Sequence, residues 1–226
     1  MREIVLDTET TGLDARGGDR LVEIGCLELV NHIPTGNHFH VYINPERPMS
    51  EDAFRVHGLG DDFLADKPLF AAIADDFLAF IADAPLVIHN AAFDIGFINA
   101  ELARIEREPL PLERAIDTVR IARTKFPGAQ ASLDALCKRF NIDNSSRTKH
   151  GALLDAELLA EVYLELVGGR QQGLGLAGTD NDPQALSLVP TRRGPARPPR
   201  PHAPLAEEAA AHAAFIKKLK EPIWLN

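Results

Sequence analysis

The chain of 226 residues has few of the features that mark secreted, disulfide-rich or membrane proteins. Its two cysteines, Cys26 and Cys137, lie far apart and outside any Cys-x-x-Cys or Cys/His spacing. We therefore expect two small core thiols in a reducing cytoplasm, and neither a disulfide framework nor a zinc cluster. No run of about 18 apolar residues occurs, which predicts no membrane span. The N-terminus also lacks the apolar core and cleavage site of a secretory signal.

Positive charge is also scarce. Lysine and arginine number 24 against 33 aspartates and glutamates, so the formal net charge is −9 at pH 7. This balance argues against a protein that holds nucleic acid by bulk charge alone. It does not exclude an enzyme that brings carboxylates and metal ions to a phosphate. The hydrophobic fraction of 45% is enough to build a sizeable core, which excludes wholesale disorder.

The composition changes abruptly near residue 168. Ten of the eleven phenylalanines precede that position, and only Phe215 follows it. Residues 190–204 contain six prolines and four arginines but no acidic residue, which is typical of an extended, solvated linker. The sequence thus predicts a folded domain over 1–168, a flexible Pro/Arg/Gly-rich linker over 169–204 and a short C-terminal segment over 205–226.

Within the first segment, hydrophobic periods of two and of about 3.6 residues alternate, which is typical of an α/β fold. Three early strands, a helix, another strand and further helices indicate a mixed sheet covered by helices. The predicted strands are 3–7, 21–30, 39–44 and 85–89, and the predicted helices are 69–83, 92–107, 117–125, 131–140 and 151–167.

Two carboxylates mark the end of the opening strand. Asp7 and Glu9 are two residues apart, so an extended backbone projects both side chains from the same face. Adjacent carboxylates repel unless a cation lies between them, and hard oxygen ligands favour Mg²⁺ or Mn²⁺. On this pair alone, a solvated strand end is an equally good interpretation.

Two further motifs lie where a helix begins. Asp94, in His-Asn-Ala-Ala-Phe-Asp, falls in the first turn of the helix after strand 85–89, at the edge of the sheet where ligands gather. Asp155, in His-Gly-Ala-Leu-Leu-Asp, falls near the start of the last helix, with His150 in the preceding loop. A histidine there can titrate near neutrality, as a general base requires. Taken alone, each motif is better explained by a helix-start acid or a solvated histidine.

Taken together, the four acids and the histidine fit a two-metal site for phosphodiester hydrolysis, with cations about 3.5–4 Å apart. The three motifs, in this order, resemble the DnaQ-like family of 3′→5′ exonucleases, whose cores use Asp, Glu, Asp, His and Asp. The five-residue step from His150 to Asp155 resembles the histidine subclass. Segments 87–97, 132–140, 150–156 and 161–163 are similar to the proofreading subunits of bacterial replicative DNA polymerases. The resemblance spans about residues 1–168.

The resemblance implies a ribonuclease-H-like mixed sheet of five strands flanked by helices. It also implies two divalent ions, Mg²⁺ or Mn²⁺, bound by the four acids, with His150 as the general base that deprotonates the attacking water. The implied metal ligands are Asp7, Glu9, Asp155 and, partly through water, Asp94. Asp7, Glu9 and Asp155 would thereby also contact the substrate.

Four further residues are implied to contact the terminal nucleotide. His57, in Arg-Val-His-Gly-Leu, corresponds to the histidine of the family's substrate-side loop. Asp52 lies five residues earlier, where the family usually has Glu, and would make a weaker contact. Thr8 and Leu13 would border the terminal sugar and base.

The C-terminal segments resemble partner-binding elements. Residues 184–189 form a short apolar island similar to the peptides that dock replication proteins on the sliding clamp, although the glutamine is offset by one position and Val189 replaces the common Phe. Residues 205–220 predict an amphipathic helix, followed by Trp224. A helix and a terminal tryptophan without a core to join indicate a segment that orders on a partner. By resemblance, that partner is the polymerase catalytic subunit, with a small accessory subunit as a further expected partner.

Three functions follow from these observations. The favoured one is a proofreading subunit that removes mispaired 3′-terminal nucleotides as 5′-monophosphates, in the bacterial cytoplasm at the nucleoid-associated replisome. The second is a stand-alone exonuclease that trims RNA or DNA 3′ ends, which would have little use for the tail. The third is a non-catalytic assembly subunit with a decayed site, against which the complete set of acids and histidine argues.

Overall fold

The computed structural model describes residues 1–145, 147, 149–169 and 204–218. The chain falls into two units, Met1–Leu174 and Gly175–Asn226, which are described separately. The peptide at 184–189, Trp224 and most of the expected linker lie outside the described residues. Within the described ranges, every helix is too short or too polar to cross a bilayer.

The first unit is built on a mixed five-stranded sheet, which confirms the predicted fold class. The strands are β1 (Arg2–Thr10), β2 (Leu21–Val30), β3 (Ile33–Tyr42), β4 (Leu86–Ile88) and β5 (Ala115–Asp117). Their order in the sheet is β3-β2-β1-β4-β5. The first three strands pair in antiparallel fashion, whereas β4 runs parallel to β1, and β5 runs parallel to β4.

Helices cover both faces of the sheet. They are α1 (Glu51–His57), α2 (Asp61–Leu64), α3 (Phe70–Ile81), α4 (Ala91–Arg104), α5 (Thr118–Lys125), α6 (Leu133–Phe140) and α7 (Ala152–Leu166), with a 3₁₀ turn at Leu112–Arg114.

The alternation of side chains along β1 divides the core between the two faces. Ile4 and Leu6 pack with α3 and α4 on one face, whereas Val5 packs with α5, α6 and α7 on the other. Asp7 and Glu9 continue the row of Val5 and therefore lie on the α7 side.

The structure agrees with the five predicted helices of this unit and adds strand β5 and helices α1 and α2, which the sequence pattern did not predict. Strand β1 continues to Thr10, three residues beyond its predicted end. The third strand begins at Ile33 instead of residue 39 and ends at Tyr42. Its first half is exposed and contains Pro34 and Gly36, which an edge strand tolerates because one side of its backbone has no partner strand. Both cysteines are buried and free, as expected.

In the second unit, helix α8 spans Ala206–Ile216, within the predicted range 205–220. Its first turn carries Glu207 and Glu208, and the backbone N–H of Leu205 donates to Glu208 Oε2 at 2.9 Å. These acids complement the positive end of the helix dipole. Leu205 and Phe215 are exposed.

Candidate active site

Asp7 and Glu9 reach the site from the end of β1. Asp7 lies directly opposite Gly25 of β2, and α7 begins directly over that glycine. A Cβ atom at Gly25 would lie 2.3 Å from the carbonyl carbon of Ala152, so only glycine allows the helix to approach this closely. The first turn of α7 carries Asp155, which is thereby brought to the side of the sheet that carries Asp7 and Glu9.

Asp94 enters the site from the opposite face of the sheet. It lies in the first turn of α4, as predicted, and is 3% exposed. The hydroxyl of Thr8 donates to Asp94 Oδ1 at 2.7 Å and ties the helix to β1. Helix α4 follows Asn90, whose left-handed φ of 69° turns the chain sharply out of β4. Thr8, expected to border the substrate sugar, thus also positions a carboxylate.

His150 and Asp155 are joined by an arginine. Arg147 Nε and Nη2 donate to the two oxygens of Asp155 at 2.5 and 2.7 Å. His150 Nδ1 lies 2.8 Å from Arg147 Nη2 and 3.3 Å from Asp155 Oδ2. Arg147 Nη1 also donates to Asp134 Oδ1 at 2.8 Å. The imidazole remains 46% exposed, so a water or substrate can reach it.

Burial and mutual repulsion disturb the ionisation of the acids. Burial, and then the charges of Asp94, Glu9 and Asp155, raise the pKa of Asp7 well above its usual value. Burial, followed by Asp155, Glu23 and Asp94, raises the pKa of Glu9 to about 8. Burial raises the pKa of Asp94 to about 7. The site thus holds carboxylates that need added positive charge in order to ionise.

Asp155 differs from the other acids. Although burial opposes it, hydrogen bonding with His150 and Arg147 holds the pKa of this carboxyl below its ordinary value. The Arg147 guanidinium therefore neutralises one carboxylate at the point where the acids converge.

The donor atoms fit a hard divalent cation. One ligand atom each from Glu9, His150 and Asp155 lies within 4.8 Å of the other two, and Asp7 and Asp94 line the same cavity of about 320 Å³. Carboxylate oxygens are the ligands that Mg²⁺ and Mn²⁺ prefer. The raised pKa values of Asp7, Glu9 and Asp94 indicate the same need for positive charge.

The residues expected to contact the terminal nucleotide line a second cavity of about 350 Å³ beside the first. Leu13 is 86% exposed at its rim. The exposed carboxylate of Asp52 is paired with Arg55. Both ring nitrogens of His57 are engaged by backbone: Nδ1 accepts from the N–H of Leu59 at 3.0 Å, and Nε2 lies 3.3 Å from the oxygen of Thr10. Its contact with a nucleotide stays a prediction.

The structure also adds residues that the sequence pattern did not single out. Arg147 carries no local signal, because a basic side chain three residues before a histidine is common in solvated loops. Gly25 lies in a regular strand pattern. The only sequence signal there is a single glycine within a strand, which often marks a position where another backbone approaches closely. Phe93 and Ser132 line the acidic cavity beside the predicted residues.

Comparison with known proteins adds independent findings. Residues 4–163 match a family model described as RNase_T, exonuclease. The chain is 51% identical over 222 residues to the DNA polymerase III subunit epsilon of Rickettsia felis, covering 97% of each chain. It is 47% identical over 224 residues to the subunit of the same name from Escherichia coli K12, covering 95% of this chain and 92% of that one.

Solved structures show the same architecture. Exonuclease X, in complex with 5′ overhanging duplex DNA, aligns with a TM-score of 0.56 and 26% identity, covering 73% of this chain and 90% of that one. The nuclease domain of 3′hExo, a DEDDh family member bound to rAMP, aligns with a TM-score of 0.64 over 74% of this chain and 91% of that one. The latter likeness, at 16% identity, is a likeness of fold alone.

Proposed function

The chain belongs to the DnaQ-like family of metal-dependent 3′→5′ exonucleases, and we propose that it is the proofreading subunit of a bacterial DNA polymerase III. In this role it removes mispaired 3′-terminal nucleotides as 5′-monophosphates. The observation that carries the proposal is the convergence of five side chains from four separate segments on one cavity. These side chains are Asp7, Glu9, Asp94, His150 and Asp155.

We propose that Asp7, Glu9 and Asp155 hold two divalent cations, Mg²⁺ or Mn²⁺, with Asp94 acting partly through water. When bound, such cations would supply positive charge to the phosphodiester that is cut. The three carboxylates would hold that charge in place, and the hydrogen bond from Thr8 fixes the position of Asp94. Asp52, His57, Leu13 and Thr8 would surround the terminal nucleotide in the adjoining cavity.

His150 would accept the proton of the attacking water. A neutral imidazole cannot both accept from Arg147 and donate to Asp155 through Nδ1, so one of these contacts excludes the other. If Nδ1–H donates to Asp155, the lone pair lies on Nε2, and this nitrogen can take a proton. The base role therefore requires Arg147 to withdraw from His150 during the reaction.

The tail would tether the nuclease to its polymerase. The similarity to the Rickettsia felis subunit covers the C-terminal segment as well as the nuclease unit, which supports a shared mode of assembly. We propose that α8 and Trp224 bind the polymerase catalytic subunit, and that 184–189 binds the sliding clamp. A small accessory subunit is a further proposed partner. The complex would act in the cytoplasm, at the replisome on the nucleoid.

The test combines substrate choice, metal and one substitution. Full-length protein is incubated with 3′-mismatched primer-template DNA, matched DNA and RNA, in Mg²⁺, Mn²⁺ or EDTA. We expect the 3′-terminal nucleotide to be released faster from mismatched than from matched DNA, and not at all in EDTA. In H₂¹⁸O the released 5′-monophosphates should carry one ¹⁸O atom. His150→Ala should lower kcat by roughly 10²-fold or more, while His38→Ala, on the exposed edge strand, should not. Faster cleavage of RNA than of mismatched DNA would favour an RNA-trimming enzyme instead.

A further inference from the structure

Three cavities lie in a row across the first unit. The cavity expected to hold the terminal nucleotide shares Thr8, Glu9 and Phe93 with the acidic cavity. On its other side, the acidic cavity shares His89 and Ser132 with a larger groove of about 730 Å³. The two outer cavities have no lining residue in common. The acidic cavity therefore lies between them.

The order of the three cavities constrains the path of a polynucleotide substrate. This inference rests on the proposed function. The scissile phosphate must lie among the carboxylates in the middle cavity. If the terminal nucleotide fills the cavity near His57, the nucleotides on the 5′ side of the scissile bond must leave the acidic cavity by another route. The groove beyond His89 and Ser132 offers such an exit, because it adjoins the acidic cavity through residues that the nucleotide cavity does not share.

The groove offers unused positive charge. Arg120 and Arg123 line it from α5, and their spacing of three residues puts both side chains on one face of the helix. Both are exposed, and neither guanidinium has an ion pair or side-chain hydrogen bond among the described residues. By contrast, Arg20 and Arg147 are held by carboxylates. Free guanidinium groups match phosphate oxygens in geometry and charge.

A single acid, Asp117, lines the groove, so the two arginines outnumber it. Asp117 caps α5, and its Oδ1 accepts from the backbone N–H groups of Val119 and Arg120 at 2.8 and 3.4 Å. Its charge is thus directed to the helix N-terminus.

The surrounding segment is basic in an otherwise acidic chain. Residues 118–140 contain five lysines and arginines against a single acid, Asp134, whereas the whole chain has a net charge of −9. The positive charge is concentrated beside the acidic cavity, along α5 and α6. Such a local distribution places attraction for a polyanion at one point of the surface.

We propose that this groove binds the sugar-phosphate backbone of the nucleotides on the 5′ side of the scissile bond, with Arg120 and Arg123 as its phosphate ligands. The metal-binding carboxylates and the two arginines then have complementary tasks. The former handle the phosphate that is cut, and the latter hold the phosphates that precede it in the strand. Affinity for the substrate should therefore increase with the number of nucleotides upstream of the 3′ end.

The test compares substrates that fill the groove with one that does not. The p-nitrophenyl ester of thymidine 5′-monophosphate has no upstream nucleotide, whereas oligothymidylates of two to six residues extend progressively into the groove. The full-length variant Arg120→Gln/Arg123→Gln is compared with wild type and with Arg16→Gln/Arg104→Gln. The control removes the same charge at two exposed arginines outside the three cavities.

For wild type and control, kcat/KM should rise with oligonucleotide length. The groove variant should lose most of this rise, with a decrease of roughly tenfold on the hexanucleotide and less than about twofold on the ester. For this variant, the slope of log KM against log salt concentration should be smaller by about 1.4, because each of the two lost phosphate contacts with a single strand contributes about 0.7 to the slope. In EDTA, the Kd for a fluorescent hexathymidylate should rise in parallel.

Three results would overturn the proposal. The groove variant and the control could show the same length dependence and salt slope, which would remove the groove from the path of the strand. The variant could lose activity on the ester and the hexanucleotide alike, which would place the arginines' effect in the acidic cavity. Wild type could hydrolyse neither substrate with Mg²⁺ or Mn²⁺, and in that case the proposed function fails as well.

Discussion

Glu9 makes the stability of the metal-free protein depend on pH, because its pKa of about 8 lies far above that of an unfolded glutamate. Between about pH 4.5 and 8 the unfolded chain has released this proton, whereas the folded chain still holds it. The free energy of unfolding therefore falls as pH rises through this window and levels off above it. Asp7 and Asp94 add to the same trend because their pKa values are also raised.

The prediction is that Glu9→Gln flattens this decline. In EDTA, the substitution should stabilise the protein by about 2–4 kcal/mol at pH 9 and have little effect at pH 4.5. Urea unfolding at several pH values measures the difference. Glu157→Gln, at an exposed position of α7, is the control and should leave the decline unchanged. Parallel pH curves for Glu9→Gln and wild type would contradict the assigned pKa.

Arg147 occupies the coordination side of Asp155, so it should compete with a metal ion for that carboxylate. Arg147→Gln should strengthen Mn²⁺ binding several-fold. Without metal, it should destabilise the fold by about 3 kcal/mol, because the side chain of Asp155 is 3% exposed and would lose its partner. Titration calorimetry and unfolding in EDTA measure the two effects. Weaker Mn²⁺ binding by the variant would show instead that the arginine supports the ligands.

At the residue scale, the convergence of the five central side chains was predictable only from their three motifs taken together, because each motif alone also fits a solvated acid or histidine. Asp7 and Glu9 follow from the two-residue period of a strand, and Asp94 and Asp155 from their places at helix starts. The contacts between them were not predictable from these patterns. The pair formed by Arg147 and Asp155 depends on how the loop before α7 folds back, which no periodicity encodes.

At the scale of elements, most segments with a clear hydrophobic period were predictable, whereas β5, α1 and α2 were not. The helices α3, α4 and α7 have twelve, fourteen and fifteen residues, which is enough to establish a helical period. Strand β5 and helix α2 have three and four residues, and their structure depends on tertiary packing. Helices α5 and α6 were predicted, but the groove beside them was not, because it depends on how α5 and the start of α6 pack next to the end of β4.

The contact between α7 and β2 is the element-scale feature on which the site depends. Gly25→Ala would place a methyl group 2.3 Å from the backbone of Ala152, so α7 must move away from the sheet. We expect a destabilisation of about 1–3 kcal/mol or more and weaker Mn²⁺ binding, because Asp155 moves with the helix. Urea unfolding and calorimetry check both effects.

Gly96→Ala supplies the matched control. A Cβ atom at Gly96 meets no neighbouring atom within 4 Å outside its own helix, and the position is exposed. Alanine should therefore stabilise α4 by up to about 1 kcal/mol and leave metal binding unchanged. Equal behaviour of the two alanine variants would argue against a special role for the approach of α7 to Gly25.

At the scale of the whole molecule, exonuclease activity and binding to the polymerase should reside in separate parts of the chain. Every residue of the proposed site and of the groove lies in residues 1–169, and both core clusters are built within that range. A chain that ends at Gly169 should therefore fold and should degrade free single-stranded 3′ ends at nearly the full-length rate. It should lose binding to the polymerase, because α8 and Trp224 are removed.

The tether acts by raising the local concentration of the nuclease at the primer end, without a change in the reaction itself. The truncated protein should consequently lag behind the full chain on mismatches held by polymerase and match it on free DNA. Gel filtration with purified polymerase and parallel exonuclease assays test the two halves of this statement. If the truncated protein co-elutes with polymerase at full-length affinity, the attachment surface lies in the nuclease unit. If it fails to fold, the residues after 169 contribute to the core, and the proposed division of tasks is wrong.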